Sequence, residues 1–292
     1  MEREDVNGAA AQNCADKAGV AGKVIAVTGA AGVLCRALCE DFLRHGAFVA
    51  LIGRHMDKLE ALREELAAKG LTAAISVEAD VLDRKAVEAA LATILAKWGR
   101  IDILVNGAGG NHPKGTTPAE QMEPTTPVED TFFGMNEEGF SHVFNLNLTG
   151  TVIPCQVFGK AMCDAGKGVI LNFCSMASFH PLTKVGAYGA AKAAVANFTC
   201  WLATHLAPMG IRVNALAPGF FVSDQNRFLL IAKDGSGYTA RGNKVIAHTP
   251  MRRFGEPNDL CGAARFLVSD EAGFITGVVL PVDGGFIAHS GV

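Results

Sequence analysis

The 292 residues are enough for one large α/β domain or two small ones, and a hydrophobic share of 49% can fill a substantial core. The 26 Lys and Arg against 29 Asp and Glu give a formal charge of −3, so we expect no nucleic-acid partner. No apolar run approaches the roughly 18 residues of a membrane span, and the acidic start predicts no secretion signal. Eight cysteines without a CxxC pair predict buried thiols of a soluble, cytoplasmic protein, not a disulfide scaffold.

After a small, polar tail at residues 1–22, short apolar runs alternate with longer helical patterns. The predicted strands are Val24–Val27, Phe48–Ile52, Ala73–Glu78, Ile101–Val105, Val169–Phe173, Arg212–Ala217 and Val278–Val282. The predicted helices are Leu34–Arg44, Asp57–Lys69, Asp83–Lys97, Thr151–Ala165, Tyr188–Leu206 and Pro257–Val268.

Strands that alternate with helices cannot be joined by hairpins, so they predict right-handed βαβ crossovers. The expected fold is α/β, with one domain over residues 23–292 and a doubly wound parallel sheet of about seven strands covered by helices on both faces. Two stretches, 109–139 and 219–250, break this rhythm directly after a strand. Doubly wound sheets bind ligands beyond the carboxyl ends of their strands, so we expect these stretches to form substrate loops.

The first predicted strand runs into a glycine turn that opens a helix. The turn and the helix start contain Thr28, Gly29, Gly32, Val33 and Leu34. Free backbone N–H groups and the positive end of a helix dipole suit a pyrophosphate, so the segment predicts dinucleotide binding. The alternative is a tight βα turn without a ligand.

Polar or small residues also follow the third and fourth strands. Asp80, followed by Val81, can accept a hydrogen bond from an adenine amino group, or it can cap the next helix. The fourth strand is followed by a stretch that lets a cofactor approach the backbone, or that simply forms a turn. This stretch is Asn106, Gly107, Ala108 and Gly109.

Tyr188 and Lys192 are four residues apart in a strongly helical run and therefore share a face. An ammonium beside a phenol favours the ionised phenol, so we expect a lowered pKa that makes Tyr188 a usable proton donor and acceptor. Ser175 comes just after a buried strand, so its hydroxyl can reach the same crevice and donate to a carbonyl oxygen. Taken alone, the Tyr-x3-Lys pair is equally typical of a solvated helix surface.

These motifs together resemble the short-chain dehydrogenase/reductase family over nearly all of residues 23–292, which implies a Rossmann-like fold. The resemblance rests on Thr28-Gly29-x2-Gly32, Asp80, Asn106 to Gly109, Asn147-Leu-Thr-Gly150, Ser175, Tyr188-x3-Lys192, Pro218-Gly219 and Val282-Asp-Gly-Gly285.

The resemblance implies an NAD(P)-dependent enzyme with a catalytic tetrad of Asn147, Ser175, Tyr188 and Lys192. Tyr188 would transfer the proton and Ser175 would orient the substrate oxygen. Lys192 would hold the nicotinamide ribose and tune Tyr188, while Asn147 would anchor a water that relays protons. The residues expected around the nicotinamide are Pro218, Gly219, Phe221 and Ser223.

Two motifs depart from the family's pattern. The first turn of the family usually reads TGxxxGxG, but Val33 and Cys35 occupy the second and third glycine positions here. We expect Gly32 to supply the close approach and Cys35 to be small enough for helix packing. The usual Asn-Asn-Ala-Gly is also changed, because Gly107 replaces its second residue.

The second predicted strand ends without a carboxylate that could hold a ribose diol, and Arg54 follows it. A guanidinium recognises a 2′-phosphate in a bidentate manner, which favours NADP over NAD. The alternative is a surface arginine.

Within the family, four motifs resemble a subgroup of D-mannonate oxidoreductases, which implies D-fructuronate and D-mannonate as substrates. The motifs are Gly109-Gly-Asn-His-Pro113, Gly219-Phe-Phe-x3-Gln225-Asn-Arg227, His248-Thr-Pro-Met251 and Arg253-Phe-Gly-Glu-Pro257. A polyhydroxy carboxylate needs many hydrogen-bond donors and a cation. The substrate-binding candidates are Asn111, His112, Lys114, Gln225, Asn226 and Arg227. For each of them, an exposed loop position is the alternative, and His112 before Pro113 can be a turn residue only.

Other functions remain open at this stage. A 3-oxoacyl carrier-protein reductase or a gluconate-type dehydrogenase would use the same tetrad, and a non-catalytic dinucleotide sensor would use only the cofactor site. The resemblance also implies a homo-oligomer, a tetramer or a dimer, with no metal.

Overall fold

The computed structural model describes residues 19–223, 226–232, 234 and 237–290. Most of the predicted tail therefore lies outside the described residues. Its last four residues, 19–22, do not behave as a tail. Val20 is fully buried in the core, and Gly22 N donates to Gly46 O at 2.9 Å. The domain therefore begins a few residues earlier than predicted.

The described residues contain seven strands, each within two residues of its predicted ends. They are β1 Val24–Thr28, β2 Phe48–Gly53, β3 Ala74–Glu78, β4 Ile103–Asn106, β5 Gly168–Phe173, β6 Ile211–Pro218 and β7 Val279–Val282. All pairs are parallel, and the order across the sheet is β3-β2-β1-β4-β5-β6-β7. The predicted doubly wound parallel sheet is thus confirmed.

Six of the helices correspond to the predicted ones. In chain order, the helices are α1 Val33–Arg44, α2 Met56–Ala68, α3 Arg84–Trp98, α4 Glu137–Phe144, α5 Gly150–Asp164, α6 Gly186–Leu206, α7 Arg227–Leu230, α8 Ala240–His248 and α9 Cys261–Val268. The helix predicted to start at Pro257 begins with a 3-10 turn before α9. The stretch 219–250 contains α7 and α8, and α4 begins at the end of the stretch 109–139, so the two irregular stretches carry short helices.

Hydrophobic side chains fill both faces of the sheet because neighbouring strand residues point in opposite directions. Ile25 and Val27 pack with α1, α2 and α9, whereas Val24 and Ala26 pack with α3, α5 and α6. Both layers are fully buried, which explains why the strands are near-continuous apolar runs.

The sheet order reverses at β1, which lies between β2 and β4. Thr28, the last residue of β1, is in register with Ile52 of β2 and with Asn106 of β4. The chain leaves β1 and β4 in opposite directions around the sheet, and a crevice opens between them at their carboxyl ends. Most of the predicted cofactor segments, and Ser175, follow strands at this edge.

The cysteines of the described residues form no disulfide, as the sequence predicts. Five are buried and Cys200 is exposed. None of the described helices combines the length and the hydropathy that crossing a bilayer requires.

Candidate active site

The turn between β1 and α1 packs closely against the backbone that follows β4. Gly29 has a φ of +68°, and a Cβ at this position would lie 2.9 Å from the backbone N and Cα of Ala108. Only glycine satisfies both constraints. Helix α1 begins after Gly32, and its first turn has neither a side-chain cap nor an acidic residue. Its N–H groups are therefore available to an anion.

A cleft of about 180 Å³ opens in front of this turn. It is lined by Gly29, Gly32, Gly53, Arg54, Ala79, Val81, Gly107, Ala108, Gly109 and Leu146. The lining comes from the segments that follow β1, β2, β3 and β4, as predicted. Glycines without room for a Cβ, next to an uncapped helix start, fit the pyrophosphate of a dinucleotide.

Several predicted cofactor residues form local contacts around this cleft. The Thr28 hydroxyl, almost completely buried, accepts from Ala108 N at 3.2 Å and so ties the two glycine-rich segments together. Val33 and Leu34 are the first two residues of α1, and Leu34 packs against the core.

Asp80 accepts from Leu82 N at 2.9 Å, whereas Asp83 caps α3. The alternative that Asp80 caps this helix is therefore wrong.

The Asn106 side chain points into the protein and not into the cleft. Its amide donates to Asn172 Oδ1 at 2.9 Å and to Cys155 Sγ at 3.1 Å. Asn172 in turn donates to Thr199 Oγ1 at 2.9 Å. This buried polar chain joins β4 and β5 to α6, which carries Tyr188 and Lys192. Asn106 therefore helps to hold α6 against the sheet.

Ser175 and Tyr188 meet as expected. Ser175 lies directly beyond β5 at the start of a 3-10 turn, where it is 6% exposed. The Ser175 side chain is close enough to the Tyr188 phenol to influence its pKa. Burial raises the pKa of Tyr188, and Ser175 only partly offsets this effect. The phenol is consequently protonated at neutral pH.

Lys192 does not lower the pKa of Tyr188, so that prediction is wrong. Its ammonium is 5.7 Å from the centroid of the Tyr188 ring and donates to Phe173 O, at the end of β5, at 2.7 Å. Burial lowers the pKa of Lys192 from the usual 10.5 to about 8. The Lys192 amine points towards the carboxyl end of β5. Loss of hydration is the main cause of the pKa shifts of both Lys192 and Tyr188.

Asn147 lies in a π-helical turn, Asn145–Thr149, between α4 and α5. Its buried amide donates to Gly110 O and to Val143 O, each at 2.7 Å, and its Oδ1 accepts from Gly110 N at 3.1 Å. A Cβ at Gly109 would lie 2.7 Å from Asn147 Oδ1 and 3.2 Å from Lys192 Nζ. Asn147 and Lys192 therefore converge on the Gly109 backbone, at the edge of the cleft.

A dinucleotide cleft that adjoins a Ser, Tyr, Lys and Asn cluster is the arrangement of one family, and the model of that family, "short chain dehydrogenase", matches residues 23–230. The chain belongs to the short-chain dehydrogenase family. It is thus an NAD(P)-dependent oxidoreductase that acts on an alcohol or a ketone.

Relatives of this dehydrogenase extend over its whole length. An uncharacterised oxidoreductase, UxuB, from Bacillus subtilis is 48% identical over 94% of this chain and 98% of its own. A crystal structure from Haemophilus influenza with bound NAD, assigned provisionally as a D-mannonate oxidoreductase, is 42% identical. Its TM-score is 0.89, and 96% of this chain and 100% of that chain are covered. A gluconate 5-dehydrogenase from Burkholderia cenocepacia in complex with NADP and tartrate is 29% identical, with a TM-score of 0.80 over 94% and 99% of the two chains.

Two of the predicted substrate residues of the dehydrogenase are used in local turns. His112 Nδ1 accepts from Lys114 N at 3.2 Å, as the turn alternative predicts, and its ring packs against His142. Asn226 accepts from Ser223 N and donates to Phe221 O, each at 2.8 Å. Both side chains shape the loops around the site.

The other predicted substrate residues are exposed or lie outside the described residues. Lys114 and Arg227 are exposed, and Asn111 is exposed as well but accepts from His112 N at 2.9 Å. Gln225 lies outside the described residues.

The expected nicotinamide residues follow β6. Pro218 is buried at the end of that strand, and a Cβ at Gly219 would lie 2.6 Å from Asp283 Cα. Phe221 is 7% exposed and packs against Gly255, so its ring supports the loop and does not line the cleft of about 180 Å³.

A contact between the two predicted substrate loops was missed. Glu120 of the first loop lies 3.1 Å from Lys244 Nζ and 3.5 Å from Arg241 Nη1, both on α8. The hydrogen bond from Lys244 lowers the pKa of Glu120. These three residues line a pocket of about 250 Å³ with Pro181, Leu182, Thr183, Phe220, Val245, His248 and Phe286. The helical spacing of Arg241 and Lys244 was the signal that could have indicated this cationic face.

Proposed function

We propose that this dehydrogenase interconverts D-fructuronate and D-mannonate, a ketone and a secondary alcohol of a sugar acid. The observation that carries the proposal is that Tyr188 and Ser175 lie near each other beyond the carboxyl end of β5, while Lys192 lies between the Tyr188 ring and Gly109 of the glycine-lined cleft. A protonated phenol next to a hydroxyl is the donor set that ketone reduction requires. The relative from Haemophilus influenza supports the choice of substrate.

Each residue of the tetrad has one task in this proposal. Tyr188 gives its proton to the substrate oxygen during reduction and takes it back during oxidation. Ser175 donates a hydrogen bond to the same oxygen and thereby orients it. Lys192 holds the ribose of the cofactor, while Asn147 positions a water that carries protons to solvent. The bound nicotinamide supplies the hydride chemistry.

We also propose that NADP is the preferred cofactor. Arg54 lines the cleft directly after β2, its side chain is exposed, and it forms no ion pair with another described residue. A free guanidinium at this position suits a 2′-phosphate. The relatives include one with bound NAD and one with NADP. Arg54→Ala should weaken NADPH binding and leave NADH binding unchanged, and equal losses for both would refute the assignment.

The activity test is a screen of keto sugar acids and of their alcohols, followed through nicotinamide absorbance with both cofactors. Turnover of D-fructuronate or D-mannonate that is lost in Tyr188→Phe supports the proposal. Activity on acetoacetyl thioesters with none on uronates would identify a 3-oxoacyl reductase. Saturable cofactor binding without turnover of any carbonyl would identify a dinucleotide sensor.

A second candidate is a gluconate-type dehydrogenase. It is favoured by the Gluconobacter oxydans gluconate 5-dehydrogenase, which is 31% identical over 89% of this chain. Oxidation of gluconate at a higher kcat/KM than D-mannonate would decide for this candidate.

We further propose a single catalytic domain over residues 19–292, slightly longer than the predicted 23–292, that works as a cytoplasmic homo-oligomer, a tetramer or a dimer. Trp201 on α6 is 57% exposed and stacks between Phe198 and His205, an apolar face that suits a copy of the same chain. Free, buried thiols suit a reducing compartment. Sedimentation of the wild type and of Trp201→Glu tests the assembly.

A further inference from the structure

Cys35 and Gly107 share one space beside the cofactor cleft. Cys35 lies in the first turn of α1 and is 3% exposed, and Gly107 follows β4 directly. A Cβ at Gly107 would lie 2.0 Å from Cys35 Sγ. This distance is about half of an ordinary contact between non-bonded heavy atoms, so a side chain at position 107 requires the Cys35 sulfur or the segment after β4 to move.

The need for glycine at position 107 is steric and not conformational. Its φ is outside the left-handed region that Gly29 and other glycines occupy. Apart from the sulfur, the same Cβ would meet Thr28 O at 3.0 Å and Cys35 Cβ at 3.7 Å. The first contact is tight and the second is ordinary, so the sulfur of Cys35 is the main obstacle.

The shared space lies where the two walls of the cleft meet. Helix α1 brings its uncapped N-terminus, and the segment that starts at Gly107 lines the opposite wall. The next residues of this segment are tied to Thr28 and lie against Asn147 and Lys192. A shift of Gly107 away from α1 would therefore widen the cleft and disturb the catalytic cluster together.

We propose that Cys35 and Gly107 are an interdependent positioning pair that sets the width of the cofactor cleft. The departures from the family's pattern at positions 35 and 107 are then a single exchange, in which a sulfur on α1 takes the volume of a side chain after β4. Neither residue takes part in the chemistry. Burial raises the pKa of Cys35 to about 12, so the thiol stays neutral and acts through its volume.

The test measures dissociation constants of NADH and NADPH by calorimetry. Gly107→Ala should raise both constants by about tenfold or more because its methyl group collides with the sulfur. Cys35→Ala alone leaves a small void and should change them by less than about threefold. In the double variant the methyl group introduced at position 107 fills this void, and binding should return to within about threefold of the wild type.

Cys39→Ala combined with Gly107→Ala is the matched control, since Cys39 is the next buried thiol of α1 and lies away from Gly107. Rescue by Cys35→Ala but not by Cys39→Ala supports the proposal. Unchanged binding in Gly107→Ala, or a folded Cys35→Ala/Gly107→Ala protein that binds as weakly as Gly107→Ala, overturns it.

Melting temperatures without cofactor separate cleft positioning from simple packing. A lower melting temperature of Gly107→Ala with unchanged dissociation constants would also overturn the proposal. If Gly107→Ala does not fold, the test rests on the double variant. Recovery of both folding and cofactor binding then supports the pair, and failure of either one refutes it.

Discussion

Tyr188 combines a protonated phenol with a neighbouring hydroxyl, that of Ser175. Tyr188→Phe removes the hydroxyl and keeps the ring, so the packing of α6 is preserved. We expect kcat to fall by about 100- to 10,000-fold, the range typical of a lost general acid. The dissociation constant of the cofactor should change by less than about threefold, as calorimetry can show.

Tyr238 provides the control, because the chain contains only two tyrosines. Its ring is 42% exposed and packs edge-on against Phe254, a contact that phenylalanine retains. Tyr238→Phe should therefore keep nearly all of the activity. If Tyr188→Phe also retained most of the wild-type rate, the assignment of the proton donor would be wrong.

Arg227 is the exposed cation that the sequence suggests for the substrate carboxylate. Arg227→Ala should raise KM about tenfold for a uronate and much less for its amide, because only the carboxylate loses a charge partner. Arg227→Lys keeps the charge, so its KM for the uronate should lie between the values of the wild type and of Arg227→Ala.

Arg241 and Lys244 offer a competing site for the same carboxylate, since both already bind Glu120. Steady-state kinetics of Arg241→Ala with the acid and the amide therefore distinguish the two sites. If kcat/KM for the acid falls selectively in Arg241→Ala and not in Arg227→Ala, the substrate carboxylate binds at α8.

At the scale of elements, Asp80 and Asp83 follow β3 only three residues apart and have different tasks. Asp83 accepts from Lys85 N at 2.9 Å and caps α3. Asp83→Ala should lower the free energy of unfolding by about 1 kcal/mol and leave cofactor binding intact. Asp80→Ala should weaken cofactor binding with a smaller loss of stability. Urea titration and calorimetry on both variants check this, and the reverse pattern would contradict it.

The strands and the long helices were predictable because each buries a regular stripe or an unbroken apolar run. Helices α4 and α8 were missed since they are short and contain glycine or asparagine within polar stretches. Their caps, Asn136 and Thr239, were nonetheless visible in the sequence.

The proximity of Tyr188, Ser175 and Lys192 was predictable because Tyr188 and Lys192 are one helical turn apart and Ser175 lies just beyond a buried strand. Contacts between distant segments were not predictable in this way. Cys35 against Gly107 and Glu120 against Lys244 depend on how loops and helices meet in space, and no local pattern encodes that distance. The pKa of Tyr188 was also misjudged, because the direction of the Lys192 ammonium depends on the backbone of β5.

At the scale of the whole molecule, buried thiols make stability depend on alkaline pH. Burial raises the pKa values of Cys35, Cys155, Cys174 and Cys261 from the usual 9.0 to about 12. Between these values the unfolded chain loses protons that the folded chain keeps. The stabilisation is complete below pH 9 and disappears as the pH approaches 12.

We therefore expect the free energy of unfolding to decline above pH 9, by up to about 1.4 kcal/mol per pH unit for each thiol. Cys155→Ala removes one of these groups, so its stability should decline less steeply than that of the wild type. Denaturant titrations at several alkaline pH values measure both slopes. Parallel slopes would show that Cys155 does not contribute.

The same buried sulfurs affect how the enzyme is inactivated by oxidation. While a chain is folded, Cys200 presents its thiol to oxidants and the five buried thiols are shielded. Each transient opening uncovers them, and a sulfinic group formed at that moment is too large and too polar for the tight interior it must re-enter. Oxidation thereby turns reversible opening into permanent loss of active enzyme, at a rate set by how often the molecule opens.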